Sequence, residues 1–269
     1  MIIDDKLSKD FNKFFSDPKM VGEGDIASRN LTPSHLHCPA RMGFKLRGAP
    51  MMAEDRGFEA RGYAEAGNSR HSAIQRFLYN HPEVEWVDPG EFVKEKNLPF
   101  EVHRSREVIE LTEKWNIPYQ EACKLIGEYE VNLIHRSQPL SFKLDGLIRW
   151  RGEYYIVEIK TVGKKDLPDS PLPKHQWQGK TYSFLLGIPK VIWVYECREN
   201  FKIKTTVQVF EEEERQEARA RLNHIILDKD DPYKLERDLT KCGFCRYKAI
   251  CAETYLAKSV EVSRPSVPF

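Results

Sequence analysis

The chain has 269 residues, 41% of them apolar, with 42 Lys and Arg against 41 Asp and Glu, a formal net charge of +1. That is enough apolar material for one large domain or two small ones, and the charge balance shows neither the basic excess that advertises nucleic acid nor the acidic excess that advertises disorder. No apolar run approaches the ~18 residues of a membrane span, and Asp4, Asp5, Lys6, Lys9 and Asp10 interrupt any signal-peptide core, so a cytoplasmic protein with no membrane partner is expected. Six cysteines are then too few for a disulfide scaffold and call for another explanation.

Residues 1–31 read as an N-terminal extension with a short amphipathic stretch (Leu7, Phe11, Phe14, Phe15). Thr32 as N-cap and Pro33 at the first helical position predict a helix over 32–46, with Cys38 inside it or just after. Amphipathic helices are predicted over 54–79 and 105–127, with Pro82, Pro89 and Pro99 breaking up the segment between them. The N-terminal part is thus expected to be mainly helical, including a helical segment at 72–127. From Tyr129 the period changes, and EYEVNLIH, LSFKLDGLIRW and EYYIVEIKT predict three sequential strands over a catalytic core at 128–210. A helix from near Pro173 ends at Gly187, where a C′ glycine belongs. Two strands, KVIWVYEC and FKIKTTVQVF, and an acidic helix over 211–227 follow. This order predicts an α/β fold with a central mixed β-sheet flanked by helices. Residues 258–269 read as a loose tail.

The chemistry concentrates in LDGLIRWRGEYYIVEIKT. If Arg151 and Gly152 form a two-residue turn, Trp150 pairs with Glu153 and Asp145 falls opposite Glu158. Facing carboxylates about 5 Å apart repel each other, so a cation is expected between them. Lys160 projects from the same face as Glu158, about 7 Å further along. Oxygen ligands at this density suit Mg²⁺ or Mn²⁺, which can activate water and stabilise a phosphoryl transition state. A solvated acidic hairpin face is the bland alternative, and apolar Ile156, Val157 and Ile159 argue for a central strand instead.

Asp145-Gly and Glu158-Ile-Lys160 resemble the catalytic signature of the PD-(D/E)xK nuclease superfamily. Two further matches narrow the resemblance to its RecB-like branch. His71, four residues after Gly67, resembles the G-x-x-x-H motif, and Gln178 with Tyr182 resembles the Q-x-x-x-Y motif. The resemblance implies a restriction-endonuclease-like core in which His71, Asp145, Glu158 and the Ile159 carbonyl hold the metal. Lys160 would then act as base or charge stabiliser, with Gln178 and Tyr182 beside the site. Read from the residues alone, His71 shares a helix face with Ile74 and Leu78 and could be a buried histidine, and Gln178 and Tyr182 could be merely amphipathic. The GKT at 179–181 is not a P-loop, because Lys174 stands where the first glycine would be.

Near the C-terminus, Cys242, Cys245 and Cys251 form C-x2-C-x5-C with no fourth ligand nearby in sequence. Iron–sulfur members of the RecB-like branch pair three such cysteines with one upstream, which Cys38 resembles. That implies a [4Fe-4S] cluster on Cys38, Cys242, Cys245 and Cys251, stapling the C-terminal segment to a single nuclease domain at 32–257. Closing so long a loop should stabilise by about 4 kcal/mol or more. Zinc is the competing occupant, in a protein with no nuclease role. Cys123 and Cys197 have no partner spacing and read as packing residues.

The resulting expectation is a Mg²⁺/Mn²⁺-dependent deoxyribonuclease, an exonuclease on single-stranded DNA or DNA with single-stranded ends. The alternative is a non-catalytic DNA-binding subunit that keeps the fold. Arg41, Lys45, Arg70, Lys164 and Lys165 are candidates for phosphate contacts and Trp177 for base stacking. A helicase, an annealing protein, a CRISPR-adaptation partner or a second copy of the chain are the protein partners such a role implies.

Overall fold

The computed structural model describes residues 29–49, 58–163, 167–239, 242, 245–248 and 250–251, with backbone alone for 58–65. Residues 1–28 of the extension, the first residues of the helix predicted at 54, Lys164, Lys165 and the tail at 258–269 lie outside the described residues. The chain forms two compact units. Among the described residues, no helix is long and apolar enough to cross a membrane.

One unit carries Cys38–Ala64 and the chain from Ile225 onward. Its helix α1 (Pro39–Arg47) has Pro39 at the first position and ends at Gly48, whose φ is 69°. The helix predicted over 32–46 is therefore two pieces, a 3-10 turn at Pro33–His35 and α1. Pro39 is the cause, because its ring disfavours the helical region for the residue before it, and Cys38 sits at φ −126°, ψ 87°. Gly43 lets α1 approach the 3-10 turn at Pro232–Lys234: a Cβ there would lie 2.7 Å from Leu235 Cδ1 and 3.0 Å from Pro232 Cβ. Phe44 packs on Tyr233 and Tyr247, with centroids 5.1 and 5.8 Å away. The Ala40 N–H, unpaired within the first turn, donates to the Glu236 carbonyl.

The other unit consists of Asn30–His37 and Glu65–His224. Helix α2 (Phe58–Asn80) enters it at Glu65, followed by β1 (Glu85–Trp86), α3 (Pro89–Glu95), β2 (Phe100–His103), α4 (Arg106–Trp115) and α5 (Tyr119–Ile126). Next come β3 (Asn132–His135), β4 (Ser141–Lys143), β5 (Gly146–Trp150), β6 (Glu153–Val162), α6 (Pro173–Leu186), β7 (Lys190–Cys197), β8 (Ile203–Val209) and α7 (Glu212–Leu227). The mainly helical segment at 72–127 holds two strands as well. The helix predicted over 105–127 is broken where Asn116 turns left-handed at φ 50° and Pro118 caps α5.

A mixed five-stranded sheet runs β1-β5-β6-β7-β8, with β6 and β7 parallel and the other pairs antiparallel. Helix α6 makes the β6-to-β7 crossover that a parallel pair requires. The predicted hairpin register holds, from Trp150↔Glu153 to Gly146↔Val157, around a turn with φ of 51° at Arg151 and 83° at Gly152. The predicted second strand, however, breaks at Leu144 and Asp145. β4 joins a separate antiparallel sheet β2-β3-β4, and only β5 belongs to the mixed sheet. Ile74 of α2 packs with Ile148, Tyr155, Val157, Ile159 and Val194 on one sheet face. On the other face Gly179 of α6 meets Trp193 and Phe210, where a Cβ would stand 2.6 Å from Trp193 Cζ2. Close packing accounts for the glycine of the GKT sequence, and Lys180 pairs with Glu214 and Glu217.

Candidate active site and cysteine cluster

Asp145 sits one step beyond the last hairpin pair, so its side chain meets the start of the Glu158–Lys160 segment. Its Oδ2 accepts from the Ile159 N–H at 2.7 Å and lies 3.7 Å from Lys160 Nζ. Lys160 Nζ donates to Glu158 Oε2 at 2.6 Å, so its ammonium lies against both carboxylates. Glu158 is fully buried and its Oε1 has no partner. Burial pushes the Glu158 carboxyl up to about 8, with Asp145 and Glu130 adding to the shift and Lys160 opposing it. Burial works against the ammonium of Lys160, but Glu158 and Asp145 outweigh it and raise its pKa. Asp145 also resists burial: Lys160, His71 and the Ile159 N–H hold its pKa below the ordinary carboxylate value.

On its other oxygen, Asp145 Oδ1 faces His71 Nδ1 at 3.7 Å. Glu130, just before β3, completes this side. Among the described residues, His71, Glu130 and Asp145 are the group whose ligand atoms all lie within 4.8 Å of one another. Burial, then the Asp145 charge, raises the Glu130 pKa against the pull of Lys143 and His71. Gln75, one helical turn after His71 and 2% exposed, donates to the Asp145 carbonyl at 2.7 Å and reaches Glu130 Oε1 at 3.5 Å. His71, Gln75, Glu130 and Lys143 line a cleft of about 250 Å³. These residues offer a hard divalent cation a donor set of one imidazole and several carboxylate oxygens.

Gln178 and Tyr182 are both buried on α6. Gln178 Nε2 donates to the Tyr182 hydroxyl, which donates to the Lys143 carbonyl, both at 3.0 Å. They hold the chain two residues before Asp145, and burial, then the charge of Glu158, raises the Tyr182 pKa, with Asp145 and Glu130 adding to it.

In the α1 unit, Cys38, Cys242, Cys245 and Cys251 are all partly exposed. Burial and then the nearness of Cys251, Cys38 and Cys245 push the Cys242 thiol up. The Asp238 N–H donates to Cys38 Sγ at 3.4 Å and Arg237 Nε to Cys251 Sγ at 3.2 Å. Among the described residues, no three of these thiols lie within 4.8 Å of one another. Cys123 and Cys197 are buried, and burial takes the Cys123 thiol up to about 12.

No family model matches the chain. No curated protein matches it either. It is similar to the crystal structure of SSO0001, at 14% identity and a TM-score of 0.44 over 91% of this chain and 96% of that one. It is also similar to LHK-Exo in complex with dAMP, at 11% identity and 0.39 over 88% and 96%. A third likeness is to an alkaline exonuclease (LHK-Exo) from Laribacter hongkongensis, at 12% identity and 0.34 over 88% and 96%. At these identities and TM-scores none of the three assigns an activity to this chain.

Arg70 is ion-paired to buried Glu196. Trp177 carries the Arg221 guanidinium 4.1 Å over its ring and Lys180 Nζ at 5.2 Å. Arg41 and Lys45 belong to α1, where burial and then Arg41 lower the Lys45 pKa. Two site residues escaped the sequence reading, Glu130 and Gln75. Gln75 left a signal, a polar residue at i+4 from His71 beside Ile74 on the buried face of α2. Glu130 left none, because its distance from Asp145 is set between two sheets.

Proposed function

We propose that the chain is a divalent-metal-dependent deoxyribonuclease of the PD-(D/E)xK type, acting as an exonuclease. The observation that carries this is the convergence of Asp145, Glu158 and Lys160 on one hairpin face, with His71 and Glu130 brought to the same carboxylate from other elements. His71, Glu130, Asp145 and Glu158 would hold the ion, with the Ile159 carbonyl as a further donor. Bound there, a divalent cation supplies Lewis acidity toward a phosphoryl oxygen and lowers the pKa of water.

The protein's own groups do the rest. Lys160, whose pKa Glu158 and Asp145 raise against burial, would neutralise charge building on the phosphoryl group. Lys143, at the cleft wall, would contact a substrate phosphate. Gln178 and Tyr182 act through the Lys143 backbone as positioning residues.

Four cysteine thiolates would hold a [4Fe-4S] cluster in the α1 unit. Tetrahedral zinc with bonds of about 2.3 Å would draw its sulfurs to within about 3.8 Å of one another. What supports a group shared by the four cysteines is that Cys242 feels Cys251, Cys38 and Cys245.

The test is digestion of end-labelled single- and double-stranded oligonucleotides with Mg²⁺ or Mn²⁺. Glu158→Ala should abolish product while unfolding stays cooperative and the iron–sulfur absorbance is retained. A fully active variant overturns the assignment, and DNA binding without product in the parent protein would favour a scaffold that keeps the fold.

A further inference from the structure

Beside His71 in α2, the neighbouring residue anchors a second cluster, on the sheet face that α2 covers. Glu196 of β7 is 0% exposed, and its Oε1 accepts from Arg70 Nε at 2.8 Å and from Arg70 Nη2. Glu196 Oε2 is buried with no hydrogen-bond partner, and so is Oγ1 of Thr161, its cross-strand neighbour. A buried carboxylate left half satisfied is a poor device for stability alone. It does hold one guanidinium in place.

That guanidinium lies 4.9 Å over the ring of Phe201, in the turn between β7 and β8. Phe201 is 60% exposed, and its φ of 58° places it in the left-handed region. Glycine or asparagine would suit that backbone, whereas a bulky aromatic is disfavoured there. An exposed ring, kept where the backbone disfavours it and backed on one face by a fixed cation, has a surface to offer. Aromatic faces of this kind stack on bases that are not paired.

We propose that Arg70 and Phe201 form a platform for an unpaired nucleotide, the base stacking on the open face of Phe201 and the outward N–H groups of Arg70 taking the adjacent phosphate. Glu196 is the positioning residue beneath them. The proposal deepens the nuclease reading and rests on it, naming single-stranded DNA as the preferred substrate. Arg70 and His71 are consecutive on α2, so the platform and the proposed metal ligand are carried by the same turn of one helix.

The test is binding of a fluorescent oligothymidylate and of a blunt duplex of equal length to the full chain in EDTA. The parent protein should favour the single strand. Phe201→Asn, which suits the left-handed backbone, should cut that preference about five-fold or more without lowering the melting temperature, and Phe201→Trp should keep it. Glu196→Ala should lose the preference and Glu196→Gln, which still accepts from Arg70, should retain it. An unchanged preference in Phe201→Asn, or an equal loss on both probes, overturns the platform. If the parent still cleaves DNA with Mn²⁺ the nuclease reading stands, whereas a parent that neither binds nor cleaves DNA overturns both.

Discussion

Glu158 is fully buried, with one oxygen on Lys160 and the other without a partner. Its carboxyl titrates near 8 in the folded chain against 4.5 as an ordinary glutamate. A pKa raised on folding means that the native state binds the extra proton. The stability it contributes is fully present below about pH 4.5 and is lost as the pH rises through 8. The melting temperature of the metal-free protein should therefore fall between pH 6 and pH 9. Mn²⁺ should reverse the fall, because the cation binds the ionised carboxylate, and should release protons from weakly buffered protein at pH 7. A melting temperature independent of pH over that window, with no proton release, would show that Glu158 is already ionised. Asp145 behaves oppositely: its lowered pKa stabilises the fold above its ordinary 3.8 and is lost in acid.

At the scale of elements, the hairpin β5–β6 and helix α6 divide the work of placing Asp145. The left-handed turn at Arg151 and Gly152 sets the register, and the Tyr182 hydroxyl pins the Lys143 carbonyl just upstream. Helix α6 can sit this close to the sheet because residue 179 has no side chain. A methyl group there would stand 2.6 Å from Trp193 and 3.0 Å from Phe210, both buried. Alanine gains up to about 1 kcal/mol of helix propensity over glycine, but overpacking a filled core costs about 1–3 kcal/mol. Gly179→Ala should therefore be destabilised by up to about 2 kcal/mol in urea titrations, and a variant more stable than its parent would mean that the two rings yield easily. The strands of the β2-β3-β4 sheet have another role, since the chain entering β3 delivers Glu130 to His71 and Asp145.

For the whole chain, a net charge of +1 and six cysteines take their meaning from where the residues lie. Several carboxylates in the charge count are buried, among them Glu158 and Glu196. The cysteines divide into two packing residues and four whose thiols belong to one unit, where Cys242 feels the other three. If those four hold iron and sulfide, Cys38→Ser purified without oxygen should lose visible absorbance. It should also unfold earlier, since closing a loop of about 200 residues is worth about 4 kcal/mol or more on a chain-entropy view. A colourless parent protein with bound zinc would overturn the cluster.

Local chemistry carried a good part of this protein in its sequence. The hairpin register and the α6 limits at Pro173 and Gly187 follow from turn residues and period-two alternation, which act over a few residues. Other features were decided only by tertiary structure. LSFKLDGLIRW reads as one strand, yet it splits at Asp145 between two sheets, because that carboxylate turns to the Ile159 N–H and the backbone before it is held by Tyr182. Glu130 and Glu196 read as ordinary acidic positions until packing brings Glu130 beside Asp145 and buries Glu196 against Arg70. Which charges face each other across distant segments depends on how sheets and helices stack, and no short-range pattern encodes that.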